Sequence, residues 1–130
     1  MNKRPEILAI LARIQDTHYQ DVSNPVTLLE YGFELAGYIS FTGEACAEAK
    51  SLLHKAKEKA AISVMALLEA QGKKIIPSLV KDYILDKCGE QSAYLTLCER
   101  CNACCTHTLE FVRSALSYLK TEINNSQYAT

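Results

Sequence analysis

Four cysteines and a histidine lie within one ten-residue segment in the second half of the chain: Cys98, Cys101, Cys104, Cys105 and His107. Thiolates and imidazoles are ligands that zinc prefers, and two Cys-x-x-Cys steps also resemble the start of an iron–sulfur run. Loops that bind metal in this way turn back on themselves, usually at glycine or proline, and residues 98–107 contain neither. We therefore expect the cysteines to pack as small apolar residues on a helix. A metal site formed by Cys98, Cys101, Cys105 and His107, or a redox pair, is the alternative.

The helix that would carry these cysteines is predicted by the spacing of the residues around them. Positions recur after three and then four residues in one unbroken series: Ile84, Cys88, Gln91, Leu95, Cys98, Asn102, Cys105, Leu109, Val112, Leu116, Leu119 and Ile123. Only Gln91 and Asn102 are polar. A second series runs one residue behind it: Tyr94, Leu97, Cys101, Cys104, Thr108, Phe111, Ala115 and Tyr118. Both are heptad patterns, and a helix with two adjacent apolar stripes should lie inside a bundle or an oligomer.

The thiols on this helix should differ in reactivity. Burial in a helical stripe raises the pKa of a thiol and blocks access to it, so Cys98 and Cys105 should be labelled slowly. Cys88 precedes Gly89, which weakens a helix, and it should react first.

Proline, capping and glycine signals predict where the helices begin and end. Pro5 can occupy the first turn of a helix over about 5–16. Thr27 and Glu30 have the spacing of a capping box and predict a second helix over about 27–71. Its stripe toward a partner helix would be Leu28, Gly32, Leu35, Ile39, Thr42, Cys46, Ala49, Leu53, Ala56, Ala60, Ser63, Leu67 and Ala70.

A third helix is predicted to begin at Pro77 and to run over about 77–124, with a kink or a break near Gly89, between Asp86 and Ser92. Gly72 should end the helix before it, so that only residues 72–76 join the two, and so short a link makes them antiparallel neighbours. The predicted fold is all-α: a long antiparallel helical hairpin with a short N-terminal helix, in a coiled-coil-like bundle within one domain, 1–130. A rod of this kind has a thin core, which favours its completion by oligomerisation.

The charge of the chain is unevenly distributed. The formal net charge is -1, yet residues 50–87 contain eight basic and four acidic side chains. Five of the lysines should gather near the hairpin turn and form a candidate nucleic-acid surface: Lys55, Lys57, Lys59, Lys73 and Lys74. The plainer interpretation is a solvated tip. No apolar run reaches the roughly 18 residues that a membrane span needs. We expect no membrane association and, with six cysteines and no export signal, a cytoplasmic location with free thiols.

No set of residues forms a catalytic signature. His18, His54 and His107 fall on different predicted elements, and none lies in a glycine-framed turn with a nucleophile. A polar strip on the third helix is a better candidate for binding. It contains Glu110, Arg113, Ser117 and Lys120, and it is either a solvated face with a Glu110–Arg113 pair or a docking site for a protein or phosphate ligand.

Four segments carry a resemblance to other proteins: Leu29–Ala36, Ala56–Ala60, Ala66–Lys73 and Leu109–Ile123. In this order they are similar to a loose family of small uncharacterised α-helical proteins of tailed bacteriophages and prophages. In that family a long helix, a Glu-x-x-Gly-Lys-type turn and a helix ending in Arg-Ser-x-Leu-Ser-x-Leu-Lys recur. The cysteine cluster and Ile75–Pro77 depart from the pattern. The resemblance implies a phage accessory protein in the host cytoplasm and transfers no catalytic residue.

Together these observations predict a non-enzymatic helical module that needs no cofactor, forms a homo-oligomer and binds a protein partner. The first alternative is an accessory factor in DNA or RNA handling, or an anti-defence protein that binds a nucleotide between subunits through Arg113 and Lys120. The second is a metal or redox protein based on the cysteine cluster.

Overall fold

The computed structural model describes residues 2–17 and 23–128, which form four α-helices. In chain order these are α1 (Arg4–Asp16), α2 (Pro25–Ala70), α3 (Pro77–Lys87) and α4 (Gly89–Tyr128). No strand occurs among the described residues, and α2 packs against both α3 and α4. The predicted all-α hairpin fold is confirmed, and its completion by oligomerisation stays a prediction. His18 lies outside the described residues.

The start of α2 differs from the predicted one. Asn24 is the N-cap, and its side-chain oxygen accepts hydrogen bonds from the backbone N–H groups of Val26 (3.1 Å) and Thr27 (3.3 Å). Pro25 occupies the first helical turn, where its missing N–H leaves no donor unsatisfied. The prediction that Thr27 and Glu30 cap this helix was wrong, because Asn24 already satisfies two of the free N–H groups three residues earlier.

The opposite end of α2 closes in a Schellman motif. Gly72 has a φ of 65°, in the left-handed region where a side chain is strained. The N–H groups of Gly72 and Lys73 donate to the carbonyls of Glu69 (3.1 Å) and Leu68 (3.0 Å). The chain reverses here, and Pro77 begins α3.

The region predicted as a third helix is divided at Cys88. The N–H of Cys88 donates to the carbonyl of Ile84 (3.1 Å) as α3 ends, and the N–H of Ser92 donates to the carbonyl of Cys88 (2.9 Å) as α4 begins. The break falls beside Gly89, where low helix propensity weakens the backbone. α4 then continues to Tyr128, past the predicted end near 124.

The core lies where α1, the first half of α2 and the middle of α4 meet, a region that we call the three-helix end. Its buried residues are Ile7, Ile10, Ile14, Leu28, Tyr31, Leu35, Ala45, Ala49, Tyr94, Cys98, Cys101, Cys105 and Val112. The second stripe of α4 is buried or half-buried from Tyr94 to Cys104, whereas Phe111 and Tyr118 are exposed. The short α1 therefore covers only the first part of that stripe.

A polar contact aligns α2 with α4 inside the first stripe. The Asn102 side-chain amide donates to the Thr42 hydroxyl (2.9 Å) and to the carbonyl of Ile39 (3.2 Å). A buried amide whose partners exist at one position only favours a single alignment of the two helices. The other polar member, Gln91, has a buried side-chain oxygen without a partner among the described residues.

The second half of α2 and α3 form a thinner two-helix region, which we call the arm (residues 50–87). Its buried α2 residues are Ala60 and Val64, and α3 has none. The predicted stripe continued from Ala60 to Ser63 and Leu67, and both of these are exposed. The buried side of α2 shifts by one residue here, because its partner is the separate helix α3 and not a continuation of α4.

Candidate interaction surfaces

A polar edge that was missed from the sequence joins α1 to α2. Arg13 Nε donates to Glu34 Oε1 (2.8 Å), and the Tyr38 hydroxyl donates to the same carboxylate. The hydrogen bond from Arg13, reinforced by the one from Tyr38, lowers the pKa of Glu34. Next to this pair, the hydroxyls of Thr17 and Tyr31 lie 2.6 Å apart. A second contact stripe of α2 thus faces α1, and it contains Tyr31, Glu34 and Tyr38 at helical spacing. It was not recognised in the sequence because its members are polar.

The cysteine cluster lies inside the three-helix end. Cys98, Cys101 and Cys105 are 0 % exposed on an unbroken helix. His107 is exposed, and its Nδ1 lies 3.6 Å from Glu110 Oε2. Across residues 2–17 and 23–128, no three His, Cys, Asp or Glu side chains are placed so that they could hold a metal ion together. The three buried cysteines serve as small packing residues.

The thiols have different surroundings. The thiols of Cys101 and Cys105 share a hydrogen bond. This hydrogen bond, together with burial, raises the pKa of Cys101, and it lowers the pKa of Cys105. Both side chains are closed off from solvent. Cys88 is also buried, whereas Cys46 and Cys104 are partly exposed. The helix break does not open the packing around Cys88, which is less exposed than Cys46 and Cys104. That Cys88 reacts first stays a prediction.

The predicted polar strip on α4 is exposed along its whole length: Glu110, Arg113, Ser117 and Lys120. The Glu110–Arg113 pair does not form, and Glu110 faces His107 instead. Within the described part of the chain, Arg113 and Lys120 make no ion pair. The exposure of the strip fits both alternatives, a solvated face and a docking site for another molecule.

The lysines proposed for nucleic-acid contact are exposed on the arm: Lys55, Lys57, Lys59, Lys73 and Lys74. Lys57 and Lys81 both line a groove of about 450 Å³ between α2 and α3, which we call the arm groove. The other residues that line it are apolar: Met65, Ile75, Pro77, Val80, Ile84 and Leu85. The structure thus combines an apolar groove with two lysines, a combination that the charge pattern alone did not predict.

A second groove, of about 720 Å³, lies beside the break between α3 and α4. Arg4 and Arg100 border it, and Leu8 and Leu97 line its apolar part. The Arg4 guanidinium lies 5.7 Å from the centre of the Tyr94 ring, which holds it in place. This groove is also cationic and apolar, and it lies on the α1 side of the molecule.

Large apolar side chains are exposed in unequal numbers along the chain. Those on the arm are Leu52, Ile62, Met65, Leu67, Ile75, Ile76, Leu79 and Leu85. Among the described residues, four others lie before the arm and three after it, so exposed large apolar side chains are concentrated on the arm. Such a concentration on a small protein commonly marks an interaction site.

The comparisons with known proteins give no assignment: no protein-family model, no curated protein and no solved structure matches the chain. None of the four described helices is both long enough and apolar enough to cross a bilayer.

Proposed function

We propose that this chain is a non-enzymatic helical interaction module that assembles with itself and presents its arm to a protein partner. The observation that carries the proposal is the exposed apolar surface of the arm. Ile62 and Leu79 are 71 % and 61 % exposed, in a region where α3 buries none of its own residues. Two helices alone cannot cover their apolar stripes, so a further surface is needed.

The chemistry of the arm favours an acidic, amphipathic protein segment as its partner. The arm groove is lined by six apolar residues together with Lys57 and Lys81, and residues 50–87 carry four more basic than acidic side chains. An amphipathic helix places apolar anchors in such a groove and carboxylates at its borders. Charge reversal at the two lysines should weaken this binding mainly through the association rate.

Light scattering at micromolar concentration tests self-assembly. The expected mass is a multiple of the 14.5 kDa chain, and a strict monomer across the concentration range would contradict this half of the proposal.

The partner half is tested by placing a photoreactive residue at Leu79 of the protein produced in bacterial cytoplasm. We expect one discrete cross-linked protein, which is lost when Lys57 and Lys81 are replaced by Glu. The same reagent at Thr121 on α4 is the control. Equal, diffuse cross-linking at both positions would contradict a specific role of the arm.

The five exposed lysines of the arm support a second candidate, an accessory factor that binds DNA or RNA. Each lysine that neutralises a phosphate releases counterions, so binding should fall steeply with salt. Replacing Lys55, Lys57, Lys59, Lys73 and Lys74 with Ala should then abolish retardation of single-stranded oligonucleotides. Absence of retardation by the wild-type protein at low salt would remove this candidate. Nucleotide capture by Arg113 and Lys120, and a phage origin, stay predictions.

A further inference from the structure

The side of α2 that points away from α1 carries an uncharged stripe, which we call the outer face. Its members recur at three- and four-residue spacing: Val26, Leu29, Phe33, Ala36, Ser40, Gly43 and Ala47. All seven are exposed, and Phe33 and Val26 are 71 % and 63 % exposed. This is the heptad pattern by which one helix packs along another, yet no described part of the chain covers it.

One glycine of this stripe, Gly43, has no explanation within the chain. A methyl group at this position would meet only Asn102 Nδ2, at an ordinary contact distance of 3.9 Å. Glycine inside a helix costs about 1 kcal/mol relative to alanine. Intramolecular packing therefore does not favour this residue, whereas a second backbone that approaches closely would.

We infer that the outer face binds the outer face of a second copy of this chain, with the two α2 helices antiparallel about a two-fold axis near Gly37. The inference rests on the proposed self-assembly and names its surface. The bulky members, Val26–Phe33, occupy one half of the stripe, and the small members, Ser40–Ala47, occupy the other. An axis between the halves sets bulky side chains against small ones on both sides, as an interface between identical patches requires.

The neighbouring edge of α4 shares the same axis. Asn102 contacts Thr42 across the antiparallel α2–α4 pair (2.9 Å). Four or five residues further along each helix, Thr106 therefore lies level with Gly37. The axis that relates the two α2 helices consequently passes near Thr106 of both copies.

Charges on this edge of α4 are complementary about that axis. Glu99 and Arg113 are both exposed, lie seven residues on either side of Thr106, and therefore share one edge of the helix. The axis brings Arg113 of each copy opposite Glu99 of the other, which gives two ion pairs. It also brings Glu30 toward Glu44 at the outer border, where solvent screens the repulsion.

The size of the surface fits a dimer. The outer face is 22 residues long, or about 33 Å at 1.5 Å per residue. Together with α4, whose axis lies about 10 Å away, it offers roughly 650 Å² per copy. Both copies would then bury about 1,300 Å², within the range of specific interfaces.

The test compares two identical substitutions by sedimentation equilibrium. Ala36→Glu places two carboxylates together at the axis, on a residue that is exposed in the isolated chain. Ala12→Glu makes the same change at an exposed position of α1, away from the outer face. We expect Ala36→Glu to raise the dimer dissociation constant about 100-fold, because like charges meet in the interface. Ala12→Glu should leave it within about threefold, and circular dichroism should show that both variants stay helical.

Charge reversal on α4 tests the orientation with exposed residues that folding does not need. Arg113→Glu and Glu99→Arg should each weaken the dimer about three- to tenfold, and the double variant should restore wild-type affinity. A dimer or larger assembly that Ala36→Glu leaves intact would overturn the inference while self-assembly stands. Single variants that weaken association without rescue in the double variant would overturn the antiparallel arrangement. A wild-type monomer would overturn self-assembly and this interface together.

Discussion

The three-helix end and the arm are made of similar helices, yet they are stabilised in different ways. At the three-helix end α1 lies across α2 and α4, and side chains such as Ile7, Leu35 and Cys98 have no contact with solvent. In the arm α2 has one neighbour, α3, and only Ala60 and Val64 are buried on it. The presence of the short helix α1 is thus the difference between the packed core of the three-helix end and the largely uncovered α2–α3 pair of the arm. Helix formation and core formation are therefore separate outcomes of the same heptad pattern.

The largest effect on stability should come from the same leucine-to-alanine substitution made at the three-helix end and in the arm. Leu35→Ala removes a fully buried side chain and should lower the free energy of unfolding by about 2–5 kcal/mol, through lost transfer energy and the cavity left behind. Leu79→Ala in the arm makes the same change at an exposed position and should cost less than about 0.5 kcal/mol. Urea denaturation measures both, and equal losses would erase the distinction between the two regions.

Helix ends offer a second contrast, of about 1–3 kcal/mol. Gly72→Ala puts a side chain at φ 65° and should destabilise the turn of the arm by about 1–2 kcal/mol. Gly89→Ala is the matched substitution at the start of α4, where a methyl group meets nothing within 4 Å. It should be neutral or stabilise by up to about 1 kcal/mol, because alanine favours the helix. Thermal unfolding gives both signs, and a loss of stability in Gly89→Ala would show that the break needs glycine.

The smallest effect concerns the polar edge between α1 and α2. Arg13 lowers the pKa of Glu34 below its ordinary value of 4.5. A carboxyl whose pKa is lowered by folding stabilises the protein at pH values above its unfolded pKa, and this contribution disappears as the pH falls through the folded pKa. Stability should therefore decline below about pH 4.5 more steeply in the wild type than in Glu34→Gln. Denaturation midpoints between pH 6 and 3 measure this, and parallel curves would mean that the pair contributes nothing.

The sequence predicted the fold well because its signals are local. Gly72 and Pro77 mark a reversal by backbone geometry alone, and the α4 stripe recurs at three- and four-residue spacing from Gln91 to Ile123. It predicted the contacts of α2 less well. The N-cap Asn24 lay upstream of an equally plausible Thr27, and the second stripe through Glu34 was hidden by its polarity.

The candidate surfaces were harder to predict, because they depend on what α1 and α3 leave uncovered. Exposure of the Arg113 and Lys120 strip followed from helical spacing. The arm groove did not, because it requires residues of two different helices, such as Lys57 of α2 and Leu85 of α3, to border one groove. The outer face could not be predicted either, because the sequence does not show which residues of α2 remain uncovered by α1, α3 and α4.

Amide hydrogen exchange followed by mass spectrometry tests the division of the molecule most directly. Exchange reports the free energy of local opening, and regions with few buried apolar contacts open most readily. We expect peptides from residues 28–49 and 94–112 to exchange only through global unfolding, and peptides from residues 53–87 to exchange much faster at the same pH. Uniform protection along α2, from Leu28 to Ala70, would contradict the account, because the arm would then be as firmly held as the core.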